Sequence, residues 1–329
     1  MPRSSPRCGL LTPDTPEELT DAVVGGFAEH GCDVDLISPQ DDWDFRPHDF
    51  LLCYGPMRSI VRGVERLKAM PHVPPVIVWF TEQTPSPRWP AALLRPAAQA
   101  RYALESRFAP QIGSKAGRLR ALGELLALQQ SGRLVRAFTF TETNRRALNR
   151  LGLPATVVPM GYGPMFGQDL GLERDVDVVF LGSARDSRRG PMLRRLERQL
   201  AACGVRFVIK DGSPERGHVF GQERTRLLNR AKIMLNLMRQ PWDDPVFRIL
   251  LAAPNGAMLL SEALLPASRG PYRAGEHFAM AADGDVAGAV RHYLARDVER
   301  RRIAEAARDF VTTDQTMGRM AGRILQTLP

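Results

Sequence analysis

The stretch that decides the fold opens with Val176-Asp177-Val178-Val179-Phe180-Leu181-Gly182-Ser183 and runs to Glu262. Its first six residues read as a buried strand, and the strand ends in two small ones. An arginine-rich loop and helix follow, Ala184 to Arg198. Further on come Arg248 and the turn Pro254-Asn255-Gly256, which leads to Ser261-Glu262. A strand ending in small residues lets the backbone approach a phosphate. The helix start beyond it offers unpaired N–H groups and the positive end of the helix dipole. Such a site wants an anion.

The same logic extends in both directions. After Val176–Leu181 the pattern predicts helix Pro191–Cys203, strand Val205–Ile209, helix Gln222–Arg230, strand Ile233–Leu237, helix Val246–Ala253, strand Ala257–Leu260 and a short strand His277–Ala281. Helices Val286–Ala295, Val298–Val311 and Gln315–Leu328 finish the chain. Before it, strands are expected at Cys8–Thr12, Val34–Ser38, Phe50–Cys53, Val76–Phe80, Ala137–Phe140 and Thr156–Val158. Helices are expected at Pro16–His30, Ser59–Met70, Ala116–Ser131 and Glu142–Leu151. Strands alternating with helices argue for βαβ units and a mostly parallel sheet. From Thr81 to Gly113 the pattern loosens, and Pro85, Pro87, Pro90, Pro96 and Pro110 argue against a long helix there. Turn formers at Pro159–Pro164 mark a boundary. They separate a domain of residues 1–163 from one of 164–329, whose last helix, about 313–328, can cross back to the first.

At 329 residues the chain has the length of two domains. Its formal charge of +9 invites a nucleic-acid reading, yet only 4 of the 45 basic residues are lysine. That skew looks like a coding bias, and no aromatic residues interleave with the arginines, so nucleic acid is not an expected partner. The charge is uneven all the same. Residues 181–240 carry 14 basic and 5 acidic residues, a surplus of 9 that equals the whole chain's. Cys8, Cys32, Cys53 and Cys203 form no C-x-x-C pair and read as reduced, which implies the cytoplasm. No signal peptide or membrane-spanning run is expected. The leucines and basic fringe of Lys115–Arg136 fit either a peripheral membrane contact or an ordinary sheet-covering helix.

Asn229–Leu237 reads as a helix passing into a strand that ends in Asn, and Phe247-Arg248, Gly256 through Ser261-Glu262, and Ala274-Gly275-Glu276-His277 follow at spacings of their own. Together with Val176–Ser183 and the Val158–Gly163 linker, these segments resemble CgeB-like and family-four-like glycosyltransferases of the GT-B fold. The resemblance implies an α/β chain of two Rossmann-like doubly wound domains facing a cleft, with the C-terminal helix packed back on the N-terminal domain. It implies a metal-independent enzyme that moves a sugar from a nucleotide-diphosphate donor, held by the C-terminal domain, to an acceptor held by the N-terminal one. The nucleotide sugar is then substrate, and no cofactor is expected. The sequence departs from the family at Leu251 and Ala267, near where the donor-binding carboxylates are usual. A GT-B-shaped scaffold without catalysis is therefore the alternative.

The donor-site candidates are Gly182, Ser183, Arg185, Arg188, Arg189, Arg248, Ser261, Glu262, Gly275, Glu276 and His277. Backbone N–H groups and a hydroxyl can donate to a diphosphate, and guanidinium forks neutralise it. Arg185, Arg188 and Arg189 could equally form a solvated helix face, Glu262 a helix cap, and Gly275–His277 an ordinary turn. Glu82, at the end of the Val76–Phe80 strand, is the candidate general base, with Asp14 second. Either could instead be a surface carboxylate. Tyr54-Gly55 and Thr141-Glu142 occupy other strand ends, and Trp79 and Trp89 are sugar-stacking candidates or core. Asp175-Val-Asp177 and Asp33-Val-Asp35 mimic a metal motif but lie at the wrong ends of their strands. Asp285 reads as a helix cap. The six histidines lack ligand spacing, and no metal is expected.

Overall fold

The computed structural model describes residues 5–11, 18–38, 41–55, 63–108, 117–185, 187–281 and 284–328. The chain divides into two compact units, Met1–Met160 with Met317–Pro329, and Gly161–Thr316. The first holds a parallel sheet of β1 (Arg7–Leu11), β2 (Asp33–Ile37), β3 (Phe50–Tyr54), β4 (Val76–Phe80), β5 (Leu134–Thr139) and β6 (Ala155–Val157). Their order is β2-β1-β3-β4-β5-β6. β4, Val-Ile-Val-Trp-Phe, is buried at every position, as a central parallel strand covered on both faces must be. Trp79 is therefore core, its indole N–H donating to the Val158 carbonyl at 2.9 Å.

Around this sheet lie α1 (Glu18–Ala28), α2 (Gly63–Ala69), α3 (Ala91–Phe108), α4 (Gly117–Gln130) and α5 (Glu142–Arg150). The 18-residue α3 overturns the expectation that prolines forbid a long helix after Thr81. Pro90 stands just outside it and gives its carbonyl to the N–H groups of Leu93 and Leu94. Pro96 costs the bond to the Ala92 carbonyl, but both residues are exposed, so water can take that carbonyl. Packing on α4 outweighs the loss. Gly123 of α4 has no room for a side chain, since a Cβ there would lie 2.4 Å from the Ala98 carbonyl oxygen. Leu122, Leu125, Leu126 and Leu128 of α4 are buried in the core with β4. The leucine face of Lys115–Arg136 is thus spent inside the unit and is not open to a membrane.

The second unit carries β7 (Val176–Leu181), β8 (Phe207–Lys210), β9 (Ala231–Asn236), β10 (Met258–Ser261) and β11 (Ala279–Met280), all parallel, in the order β11-β10-β9-β7-β8. The helices are α6 (Arg189–Ala201), α7 (Gly221–Arg230), α8 (Val246–Ala252), α9 (Val286–Ala295) and α10 (Asp297–Thr313). Asp285 caps α9, accepting from the Gly288 N–H at 2.8 Å. The chain leaves β7 for β8 on one side and then crosses to β9 on the other. The carboxyl ends of β7 and β9 therefore flank a topological switch point, where open α/β sheets bind ligands.

The final helix, α11 (Met317–Leu325), belongs to the first unit and packs on α1. A Cβ on Gly26 would lie 2.7 Å from Met317, so the glycine admits the close approach. His30 Nε2 lies 2.7 Å from the Gly318 carbonyl oxygen.

Candidate anion site at the carboxyl edge of the second sheet

β7 delivers Gly182 and Ser183 to the switch point. Gly182 donates its N–H to the Lys210 carbonyl at 2.9 Å and adopts φ +132°, a conformation that side chains rarely take. The space that a side chain would fill holds a guanidinium: a Cβ at Gly182 would overlap Arg248 Nη2, well inside van der Waals contact. Arg248 comes from the first turn of α8, and its guanidinium carbon stands 5.6 Å from the Phe180 ring centroid. That of Arg189, from the first residue of α6, stands 5.8 Å from the same ring. One buried aromatic of β7 thus supports two cations.

Arg248 has no carboxylate partner among the described residues. Burial, with Arg189 and Arg239 beside it, pulls the guanidinium down from 12.5 to about 9. A guanidinium keeps its proton at neutral pH, so the shift marks a cation held at a cost that an anion would relieve. Arg239 lies three residues beyond β9 and is exposed. Sequence reasoning passed over it because attention stopped at the strand's terminal Asn. Its position past a strand end beside the switch point was the signal.

Arg188 and Glu262 are joined in a fork-to-fork pair, Nη1 to Oε1 at 2.9 Å and Nη2 to Oε2. Arg188 also donates to the Met238 carbonyl at 2.8 Å, and Glu262 Oε1 accepts from the Met238 N–H at 2.5 Å. Glu262 is thus buried and engaged, locking the ends of β9 and β10 to the start of α6. Ser261 is buried too, its hydroxyl accepting from the Asn236 amide at 2.8 Å. Ser183 accepts from the Arg185 N–H at 3.2 Å, and Arg185 is exposed. The structure therefore gathers Gly182, Ser183, Arg188, Arg189, Arg248, Ser261 and Glu262 at one sheet edge.

Gly275, Glu276 and His277 sit elsewhere, in the loop that precedes β11 rather than after a strand. His277 is buried, stacked on Phe310 of α10 at 4.2 Å and edge-on to Tyr272. Burial first holds its ring below the ordinary value, Arg273 adding to the effect and Glu276 opposing it. Glu276 pairs with Arg273, and the Gly275 carbonyl accepts from Arg302 at 3.0 Å. These contacts tie the loop to α10.

In the first unit Glu82 follows β4, half-buried, and has no partner among the described residues. The neighbouring Thr84 is anchored by Asn144, hydroxyl to Oδ1 at 3.0 Å. Tyr54, at the end of β3, shares a 2.5 Å hydrogen bond with Thr20. Glu142 is taken up by Arg145 and Arg146, Trp89 is exposed, and Asp14 lies outside the described residues. At the other end of the second sheet, Asp175 pairs with Arg206 and Arg230, and Asp177 with Lys232.

Two parallel α/β units, with the last helix returned to the first and a basic carboxyl edge on the second, describe a chain of the GT-B type. Residues 188–326 match the family model described as glycosyl transferase-like, a stretch that begins at Arg188 beside α6 and ends past α11. Among solved structures, the chain is similar to sucrose-phosphate synthase from Thermosynechococcus elongatus, with 12% identity, 98% of each chain covered and a TM-score of 0.55. It is also similar to Anabaena Alr3699/HepE in complex with UDP and glucose, with 10% identity, 98% of each chain and a TM-score of 0.57. T4 phage β-glucosyltransferase gives 11% identity, 97% of this chain and 98% of that one, and a TM-score of 0.53. At such identities the likeness is one of fold, and the fold is GT-B. No curated protein sequence matches the chain.

Proposed function

We propose that this chain is a CgeB-like glycosyltransferase that takes a sugar from a nucleotide diphosphate held by its second unit. The observation that carries the reading is Arg248, a half-buried guanidinium with no carboxylate partner among the described residues, seated against Gly182 at the switch point between β7 and β9. The match to a glycosyl transferase-like family supports it, as do structural neighbours described with UDP and glucose.

In the reaction the acceptor's hydroxyl oxygen bonds to the anomeric carbon. The bond from that carbon to the diphosphate breaks, and its electron pair leaves with the diphosphate. Arg248, Arg189 and the N–H groups at the start of α6 stabilise the developing charge, the work a divalent ion does in other transferases. The mechanism thus requires no metal. Arg188 and Glu262 act as positioning residues that fix the start of α6. The first unit serves the acceptor, and Glu82 accepts its hydroxyl proton. Free cysteines, three of them buried, suit a reducing cytoplasmic setting.

Isothermal titration with UDP, GDP and dTDP is the test. Saturable binding of one of them that is lost in Arg248→Met supports the reading, and no binding at millimolar concentration refutes it. A second reading, a binding protein without turnover, draws on Leu251 and on a Glu262 that is already occupied. It expects nucleotide binding with no sugar transfer or donor hydrolysis. The transferase expects turnover that slows about 100-fold in Glu82→Gln.

A further inference from the structure

With α4 buried, the apolar surface of the first unit lies on its partner, α3. Leu94, Ala98 and Glu105 face inward, whereas Leu93 is 64% exposed and Leu104 53%. Pro96 and Ala100 lie between these two leucines at helical spacing and are exposed as well. The four residues form one stripe along the outer side of the helix. Trp89, just before the helix, is 49% exposed and extends the apolar surface at that end.

Two further observations indicate what covers the stripe. From Gln83 to Leu104 the sequence contains Arg88, Arg95 and Arg101 but no acidic residue. Exposed Arg88 stands next to Trp89, and exposed Arg150 donates to the Pro87 carbonyl at 3.0 Å. The nearest carboxylate along the helix, Glu105, is buried between Arg101 and Arg120. The stripe also opens into a groove of about 820 Å³ between α3, α2 and α4. That groove shares Ala100, Ala103 and Leu104 with the surface, and on its wall Lys68 is paired with Glu65 at 3.1 Å.

An exposed tryptophan beside a leucine stripe, with exposed Arg88 and Arg150 at the Trp89 end and Glu65 of the groove neutralised by Lys68, is complementary to an anionic bilayer surface. A protein partner of comparable apolarity would not require the exposed arginines at the Trp89 end. We propose that α3 and the Trp89 turn dock this protein onto anionic membranes, with Trp89, Leu93 and Leu104 entering the interface and Arg88 and Arg150 meeting lipid phosphates.

The contact needs no transferase activity, so its test reads vesicle binding. The full chain is sedimented with phosphatidylcholine vesicles, with and without one third phosphatidylglycerol. Binding is expected to the mixed vesicles only. The triple variant Trp89→Ser/Leu93→Gln/Leu104→Gln, altered only at exposed positions, is expected to bind about tenfold more weakly or worse. Arg88→Glu is expected to weaken binding and flatten its salt dependence, with the melting temperature unchanged in both variants. Failure of the wild type to bind mixed vesicles would overturn the proposal, as would equal binding by the triple variant. So would a lipid-free, concentration-dependent dimer that the triple variant abolishes, because the stripe would then meet a second copy of the chain.

Discussion

The two ends of the second sheet are both rich in cations but differ in how those cations are matched. At the amino edge Asp175 meets Arg206 and Arg230, and Asp177 meets Lys232. At the carboxyl edge Glu262 meets Arg188, while among the described residues Arg248 meets Gly182, Phe180 and other cations. A count of basic residues does not separate these edges. Pairing does, because an unmatched, partly desolvated charge is costly to maintain and its retention points to a missing anion.

The sharpest way to break this contrast is Arg248→Met, which keeps bulk and removes charge. UDP affinity should fall about 30-fold or more by titration calorimetry, while the melting temperature holds or rises, since a half-buried cation without a carboxylate partner is lost. A fall in both would make Arg248 structural. Gly182→Ala should come next. A methyl group there must displace the guanidinium and accept φ +132°, so denaturant unfolding should show a loss of about 1–3 kcal/mol together with weaker UDP binding.

The loop before β11 sharpens the comparison through pH. His277 is held below its ordinary value near 6.5, mainly by burial. The unfolded chain therefore takes up the proton first, so stability is fully present above pH 6.5 and declines as pH falls through the folded-state value. His277→Gln should flatten that part of the melting profile and leave UDP affinity at pH 7 unchanged. The smallest effect is expected at the amino edge. Asp175→Asn removes a half-exposed partner of two arginines, and neither UDP affinity nor melting temperature should change appreciably.

Much of this was legible in the sequence, for reasons that differ from element to element. β4 and β7 are apolar runs that only a doubly covered parallel strand explains, and the boundaries of α9 follow from the Asp285 cap. α3 was not legible. Its prolines argue against a helix, and the compensation, a glycine on α4 that faces Ala98, is a tertiary contact. The cluster at Gly182 could be read from a strand ending in small residues, and the structure sets Arg189 and Arg248 against the same strand. That Glu262 would be bound by Arg188, and that the Gly275–His277 loop would fold against Phe310, depends on long-range packing that spacing does not encode. Arg239 shows the converse, a residue whose position beyond a strand end was readable but whose neighbours were not.

The central claim is that the unmatched cation at the carboxyl edge awaits a diphosphate. A crystal structure of the protein grown with UDP tests it most directly. The account predicts both phosphates at the end of β7, hydrogen-bonded to backbone N–H groups near Ser183 and to the Arg248 guanidinium. Diphosphate bound at the Asp175 edge, or bound anywhere without contact to Arg248, would contradict it.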